Sequence, residues 1–454
     1  MKKSLVALAV LAATGAYAQS SVTLYGIVEA TTDIGFNRNV DKRVTTNNFS
    51  PIGLVAPGTG TVPTTDRQKN NFRVQDGNDQ GTGSSRIGFR GTEDLGGGLK
   101  ANFVMEMSVR VDDGCTTLSA TGGPACDNGG NSGVSGGSTF GRNAWGGLSG
   151  GFGEVRAGRQ VLGSFGVQAN SAAAGSSNGL YEVSATQYLP MGGVRFSNAI
   201  KYLSPNFGGF TANITLAAPE TGVNTFVAPA NTVSRRTGVD LALEYANGPA
   251  YVGFGYNKRD TGNITSTTTG VSTVNLAPGT ANSYTLGGAY DLGVVKPFIN
   301  YTRVTTNISG STVAPVGFAS ASNGSNANAR ALSIGLRAPV GPFTVITSFG
   351  RVNTDTNGSV VANSAGGVST VSSTTQVDRR DAFQLGAQYA LSKRTLVEAN
   401  YGYSKLRSNG SGSVSNGNFN TDGTFVAGAG GSATRSFDSN DRTSSLNVGL
   451  KHSF

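Results

Sequence analysis

The chain has 454 residues with a formal charge of +9, 13% charged residues, two cysteines and one histidine. Its basic residues are dispersed, with no run of five or six and no aromatic RNA-binding motif, so nucleic acid is not a partner the sequence points to. Gly (67) and Pro (14) together stay below the roughly 25–30% at which a low-complexity chain is expected, so a folded protein is expected.

The first eighteen residues read MKKSLVALAVLAATGAYA: two lysines, an apolar run and the small-x-small sequence Ala16-Tyr17-Ala18. This is the pattern of a secretory signal peptide, with cleavage expected after Ala18. No later segment reaches the 18 or so consecutive apolar residues of a membrane helix. Residues 19–454 carry no linker or shift of composition, which predicts one domain.

Strand patterning then takes over. From Ser21, Val22, Leu24, Gly26, Val28 and Ala30 fall on one side and Thr23, Tyr25, Glu29 and Thr31 on the other, with Ile27 breaking the pattern. Next comes SSRIGFRGTEDLGGGLKANFVMEMSVRV, two strands joined by a tight turn. Ile87, Phe89, Leu99, Phe103, Met105, Met107 and Val109 form its apolar face, while Arg86, Arg90, Lys100, Asn102, Glu106 and Arg110 lie opposite.

The same short-turn hairpin recurs at Phe140–Gln160, Val194–Ala217, Val239–Asn257, Tyr284–Val304, Leu332–Val352 and Phe383–Leu406, seven in all. The last strand, Ser444–Phe454, alternates Leu446, Val448, Leu450, His452 and Phe454 with polar residues. Fourteen hairpin strands plus the first and last predict sixteen, an even number that leaves both termini on one side of a membrane. A terminal strand left open would expose unpaired amides, so the first strand is its expected neighbour.

Eight long polar stretches, roughly 37–83, 111–138, 161–193, 218–237, 258–281, 306–328, 353–380 and 407–441, alternate strictly with the short turns. Short turns on the periplasmic side and long loops outside are the asymmetry of a transmembrane antiparallel β-barrel. A soluble sandwich or solenoid would need an apolar core that these half-polar strands do not supply. Aromatics near strand ends, among them Tyr202, Tyr256, Tyr301 and Tyr389, suit interfacial girdles.

The stretches SSVTLYGIVEA, SRIGFRGTEDLGGGLKANFVMEM, RAGRQ, NAIKYLSPNFGGF and GLKHSF resemble the trimeric general-diffusion porins of betaproteobacteria. The resemblance implies a sixteen-stranded barrel, a homotrimer, and a third long loop folded inward to narrow the pore, here roughly residues 161–193. It implies as partners other copies of the chain, outer-membrane lipid and lipopolysaccharide, the barrel-assembly machinery that reads a terminal phenylalanine (Phe454), and small hydrophilic solutes and anions. No cofactor is implied. The Pro-Glu-Phe-Gly-Gly stretch of enteric porins is missing from this loop, so its path does not follow theirs.

A pore filters ions with charges facing its water column. Parity places Arg86, Arg90, Arg110, Arg156, Arg195 and Lys201 on the polar face of strands adjoining the candidate constriction loop, with Glu106 as a local acid. Arg159 falls on the outer face unless its strand has already ended. Within 161–193 the one acidic residue is Glu182, so a weak anion preference is expected; Glu29, Asp240, Glu244 and Glu398 share the inward parity and could counter it.

Cys115 and Cys126 lie in one loop with ten residues between them, and in an oxidising compartment a disulfide is expected. Catalysis finds no support, since His452 falls on the lipid-facing parity and no triad, phosphate loop or metal-ligand cluster is legible. Two other functions remain open: an adhesin acting through its loops, and a substrate-specific channel. The latter should show eighteen strands and an inward aromatic track.

Overall fold

Where one face of every strand meets lipid and the other meets water, a period of two is the stable pattern, and closure removes the edges that hydrocarbon does not tolerate. A computed structural model shows this arrangement. It describes residues 21–49, 59–68, 71–76, 85–112, 139–172, 194–218, 221–224, 231–234, 237–260, 264–268, 271–276, 279–308, 312–314, 321–364, 368–419 and 425–454. The expected signal peptide, residues 1–18, lies outside the described residues, as do Cys115, Cys126 and Glu182.

Among the described residues sixteen strands build the wall. They are β1 (Ser21–Phe49), β2 (Arg86–Gly96), β3 (Leu99–Ser108), β4 (Asn143–Gly150), β5 (Gly153–Val161), β6 (Arg195–Leu203), β7 (Phe210–Ala217) and β8 (Gly238–Asn247). The circuit continues with β9 (Ala250–Asp260), β10 (Gly279–Tyr290), β11 (Lys296–Ile308), β12 (Ala321–Val340), β13 (Phe343–Ser364), β14 (Val368–Ala390), β15 (Thr395–Phe419) and β16 (Phe425–Ser453). Each pairs antiparallel with the next, and β16 pairs with β1 from Ile27↔Ser453 to Phe49↔Ser432. The expected closure of first strand on last is therefore present, and all strands belong to one sheet.

The two faces differ as patterned. Leu332, Ile334 and Leu385 are nearly half exposed on the outside, while Glu29, Thr31, Asp240, Thr302 and Asn447 are buried on the inside.

The long stretches depart from expectation. Several read as loops are continuations of the strands: β13 and β14 stay paired to Ser364↔Val368, β15 and β16 to Phe419↔Phe425, and Thr59–Gln68 pairs with the far end of β1. At about 3.3 Å per residue the 23 residues of β14 run well beyond a hydrocarbon core about 30 Å thick. Above the membrane both faces meet water, so the apolar half of the alternation disappears while β-compatible Ser, Thr and Val remain. Periodicity marks where the lipid ends, and the strand goes on past it.

The seam is closed by the last residue. Gly26 N–H donates to the Phe454 carbonyl at 3.0 Å, and Phe454 N–H donates to the Gly26 carbonyl at 3.1 Å. A Cβ on Gly26 would collide with the Phe454 ring, so the glycine is a notch that the terminal aromatic covers. Removing Phe454 strands both Gly26 backbone groups and uncovers the notch, and should cut the level of assembled barrel several-fold while leaving conductance of the folded fraction unchanged. Phe454→Ala keeps the two backbone bonds and separates ring from seam. Unchanged assembly on deletion, read by outer-membrane immunoblot, would exclude a role for the terminal residue.

Candidate functional site

After β5 the chain turns into the barrel and forms a short helix, α1 (Gly163–Asn170). Two turns of helix are marginal on their own in water, so the wall must hold them. The hold is specific at the first turn, where the amides of Gly163 and Ser164 donate to Asp240 Oδ2 at 2.8 and 3.3 Å and Ser164 Oγ donates to Oδ1. A carboxylate there satisfies orphan amides and complements the positive end of the helix.

The far end is tied by Gln168 Nε2 to Thr302 Oγ1 at 3.2 Å and by Asn300 Nδ2 to Ser171 Oγ at 2.7 Å. Asn170 Nδ2 donates to Glu244, which also accepts from Tyr251 OH at 2.8 Å. Val167 is fully buried against the wall. The close approach depends on Gly255 and Gly287, since a Cβ on either would strike Ser164 or Ser171. The helix thus lies on the inner face of β8, β9 and β10.

Earlier in the circuit, the loop-side ends of β2 to β6 carry a basic cluster around one acid. Glu106 Oε1 accepts from Arg142 Nε at 2.7 Å, its Oε2 accepts from Tyr25 OH at 2.9 Å, and Arg86 Nε stands 4.0 Å away. Arg195 feels the like charges of Arg142, Arg159 and Arg86 together with the charge of Glu106. Three guanidiniums, those of Arg86, Arg142 and Arg195, therefore share one hydrogen-bonded carboxylate, with Glu29 also acting on Arg86. The helix carries no charged residue.

A bulge sets part of this geometry. Between the pairs Gly158↔Ala199 and Gln160↔Phe196, β6 has two residues, Ser197 and Asn198, opposite Arg159 alone, and Asn198 takes φ +49°. Strict alternation along β6 is lost there, so the shared parity read for Arg195 and Lys201 does not hold across the bulge. Arg159, ambiguous by parity, is fixed by bonds from Nε to the Gly141 carbonyl at 2.6 Å and from Nη1 to Ser197 Oγ at 2.5 Å.

The other sequence-predicted residues scatter. Arg110 lies beyond the end of β3 and pairs with Asp112 at 3.1 Å. Arg90 stands over the Tyr25 ring at 5.3 Å, nearer the short-turn end. Arg156 pairs with Glu154 at 2.7 Å and stacks on Trp145 at 4.1 Å, while the buried Lys201 donates to the Val161 carbonyl at 2.9 Å, bracing the base of the inward loop. Arg142 is missing from the sequence reading because, inside the hairpin Phe140–Gln160, it shares the parity of Phe140, Ala144 and Leu148; in the structure it precedes β4, where that count no longer applies.

A polar-lined lumen inside a lipid-facing wall defines a transmembrane channel of the outer-membrane barrel class. The model of the family described as Gram-negative porin matches residues 4–409, and the chain belongs to that family. It is 31% identical to an outer membrane porin protein of Bordetella pertussis over 445 residues, covering 89% of this chain and 94% of the relative. To the outer membrane porin protein 32 of Delftia acidovorans it is 35% identical over 305 residues, covering 65% and 68%. The solved structure of the anion-selective porin from Comamonas acidovorans superposes with a TM-score of 0.50 at 24% identity, covering 96% of this chain and all of that one. The protein is an outer-membrane porin.

Proposed function

We propose that this porin is a general-diffusion channel for small hydrophilic solutes and ions with a weak preference for anions. The observation that carries the reading is the cluster of Arg86, Arg142 and Arg195 about Glu106, which is already hydrogen-bonded, sharing the lumen with an uncharged helix. Of the acids that could counter it, Glu29 lies 3.8 Å from Lys451 Nζ, while Asp240, Glu244 and Glu398 accept hydrogen bonds from neutral groups and keep their charge, which is why the preference is weak.

With a Debye length of roughly 8 Å at physiological salt, only charges at the narrow section filter strongly. A solved porin of this fold is named anion-selective, but the reading here rests on this chain's own residues. A bilayer separating two potassium chloride concentrations tests it: a modest reversal potential of anion-selective sign is expected, and the opposite sign would overturn the assignment.

The proposal includes assembly as a homotrimer through the neighbourhood of β1 and β16. The outward Val22 and Val28 are short and exposed in the single chain, which suits packing against protein. Gly26, small by the same reading, is covered by Phe454 and is not part of such a surface. Light scattering in mild detergent should give three times the monomer mass.

A further inference from the structure

Apolar side chains on a barrel wall belong on the lipid side, yet one cross-strand row sets two of them toward water. The row runs Arg90, Val104, Trp145 and Gly158 across β2 to β5, and Val104 stands on the face of its strand that carries Glu106. Arg90 is exposed, and Val104 and Trp145 are partly exposed, so the lumen reaches all three. Trp145 is the one tryptophan of the chain.

Burial does not account for this indole, which keeps part of its surface in the channel while burial stabilises only the area removed from water. Arg156 leans across Gly147, where a Cβ would meet its side chain, and stacks on the Trp145 ring at 4.1 Å. Glu154, 2.7 Å from Arg156, balances that charge. Gly158, directly opposite Trp145, has no side chain to cover the ring.

Arg90 is placed differently. It stands over the Tyr25 ring at 5.3 Å, and among the described residues no carboxylate pairs with it. Tyr25 is a firm platform, since its ring lies against Gly88, where a Cβ would collide with it, and its hydroxyl donates to Glu106 at 2.9 Å. A planar cation without an acid, an aliphatic side chain and an indole therefore follow one another along a single row. Two strand spacings of about 4.8 Å put the Trp145 backbone about 10 Å from that of Arg90, within reach of a one-ring acid lying along the row.

A guanidinium takes a carboxylate through two parallel N–H donors, and an aromatic ring stacks on an indole or a guanidinium. An inorganic anion meets only the first of these, and a neutral arene only the second. We propose that this row is a subsite for small aromatic carboxylates, with Arg90 taking the carboxylate and Val104 and Trp145 the ring. The inference rests on the channel admitting anions, as proposed above, and adds a solute class that charge alone does not select. A solute leaving the cluster around Glu106 toward the short turns meets this row next.

Chloride conductance of the full assembly in planar bilayers tests the subsite, with benzoate, cyclohexanecarboxylate and benzamide as added probes. Benzoate should depress the conductance at a concentration about fivefold lower than cyclohexanecarboxylate, which has the charge without the aromatic face. Benzamide, the ring without the charge, should have no effect at either concentration. Trp145→Leu should bring the two acids together, Arg90→Gln should weaken both several-fold, and Arg330→Ser, on the outer face of β12, should change neither. Should a lumen variant fail to assemble, the one tryptophan of the unaltered protein still decides: para-nitrobenzoate should quench its fluorescence to saturation and para-nitrobenzamide should not. Equal effects of the two acids on the unaltered protein, a benzoate preference surviving Trp145→Leu, unchanged acids in Arg90→Gln, or equal quenching by both nitro compounds would each overturn the subsite. A cation-selective reversal potential in potassium chloride would instead overturn the anion reading on which it rests.

Discussion

Replacing Arg86 and Arg195 together by serine should move the reversal potential toward cations, lowering the anion-to-cation permeability ratio by about tenfold. A unit charge several ångströms from an ion in a watery, salt-screened passage contributes about 0.3–0.4 kcal/mol. An anion loses that energy for each arginine removed and a cation gains it. Two removals therefore change the ratio by about 1.4 kcal/mol, a factor of ten.

Two further variants give the prediction its sign and its place. Glu106→Gln removes the acid bonded at the centre of the cluster and should strengthen anion preference, at a cost in stability because Arg142, which is buried, loses its 2.7 Å partner. Arg110→Ser should move the potential little, although sequence parity ranks Arg110 with Arg86. Asp112, 3.1 Å from it and outside the strand, already cancels most of its field. An equal shift from Arg110 and from the Arg86/Arg195 pair would place the narrow section elsewhere along the wall.

That contrast shows what the sequence could reveal. Strand number, closure on the last strand and the inward faces of β2 and β3 were all legible, because lipid on one side and water on the other impose a period of two. Arg86 and Glu106 followed from it directly. The limits of the strands were not legible, since β14 and β15 run on where both faces meet water and the pattern has no reason to persist. Nor was the cluster complete. Arg142 lies just outside β4 and Arg159 stays ambiguous by parity, while Arg195 is in the sequence reading but by a count that the extra residue at Ser197–Asn198 breaks. By inward parity alone Asp240 and Glu244 are acids that counter the basic field. Their role is set by a helix arriving from 70 or more residues away in sequence, which no local pattern records.

Asp240→Ala should loosen the constriction. Asp240 is wholly buried and takes three hydrogen bonds from the start of α1, two of them from amides that have no other acceptor within the helix, and a fourth from Asn257 at 3.4 Å. Hydrogen bonds to a charged acceptor contribute about 1.5–3 kcal/mol, and an isolated helix of two turns does not persist in water. Lumen water can reach the freed amides, which puts the loss near the lower end, about 2 kcal/mol. The open population should rise about thirtyfold. Amide exchange at residues 163–170 should accelerate by that factor while the wall strands keep their protection. Single-channel records should show a larger mean conductance with added flicker. Asp240→Asn retains an acceptor and should fall between the two. Gly287→Val drives a side chain into the position of Ser171 and should displace the other end of the helix, with the same electrical signature. If exchange and conductance both stay at wild-type values in Asp240→Ala, then Gln168–Thr302 and Asn300–Ser171 hold the helix unaided and the carboxylate is not its anchor.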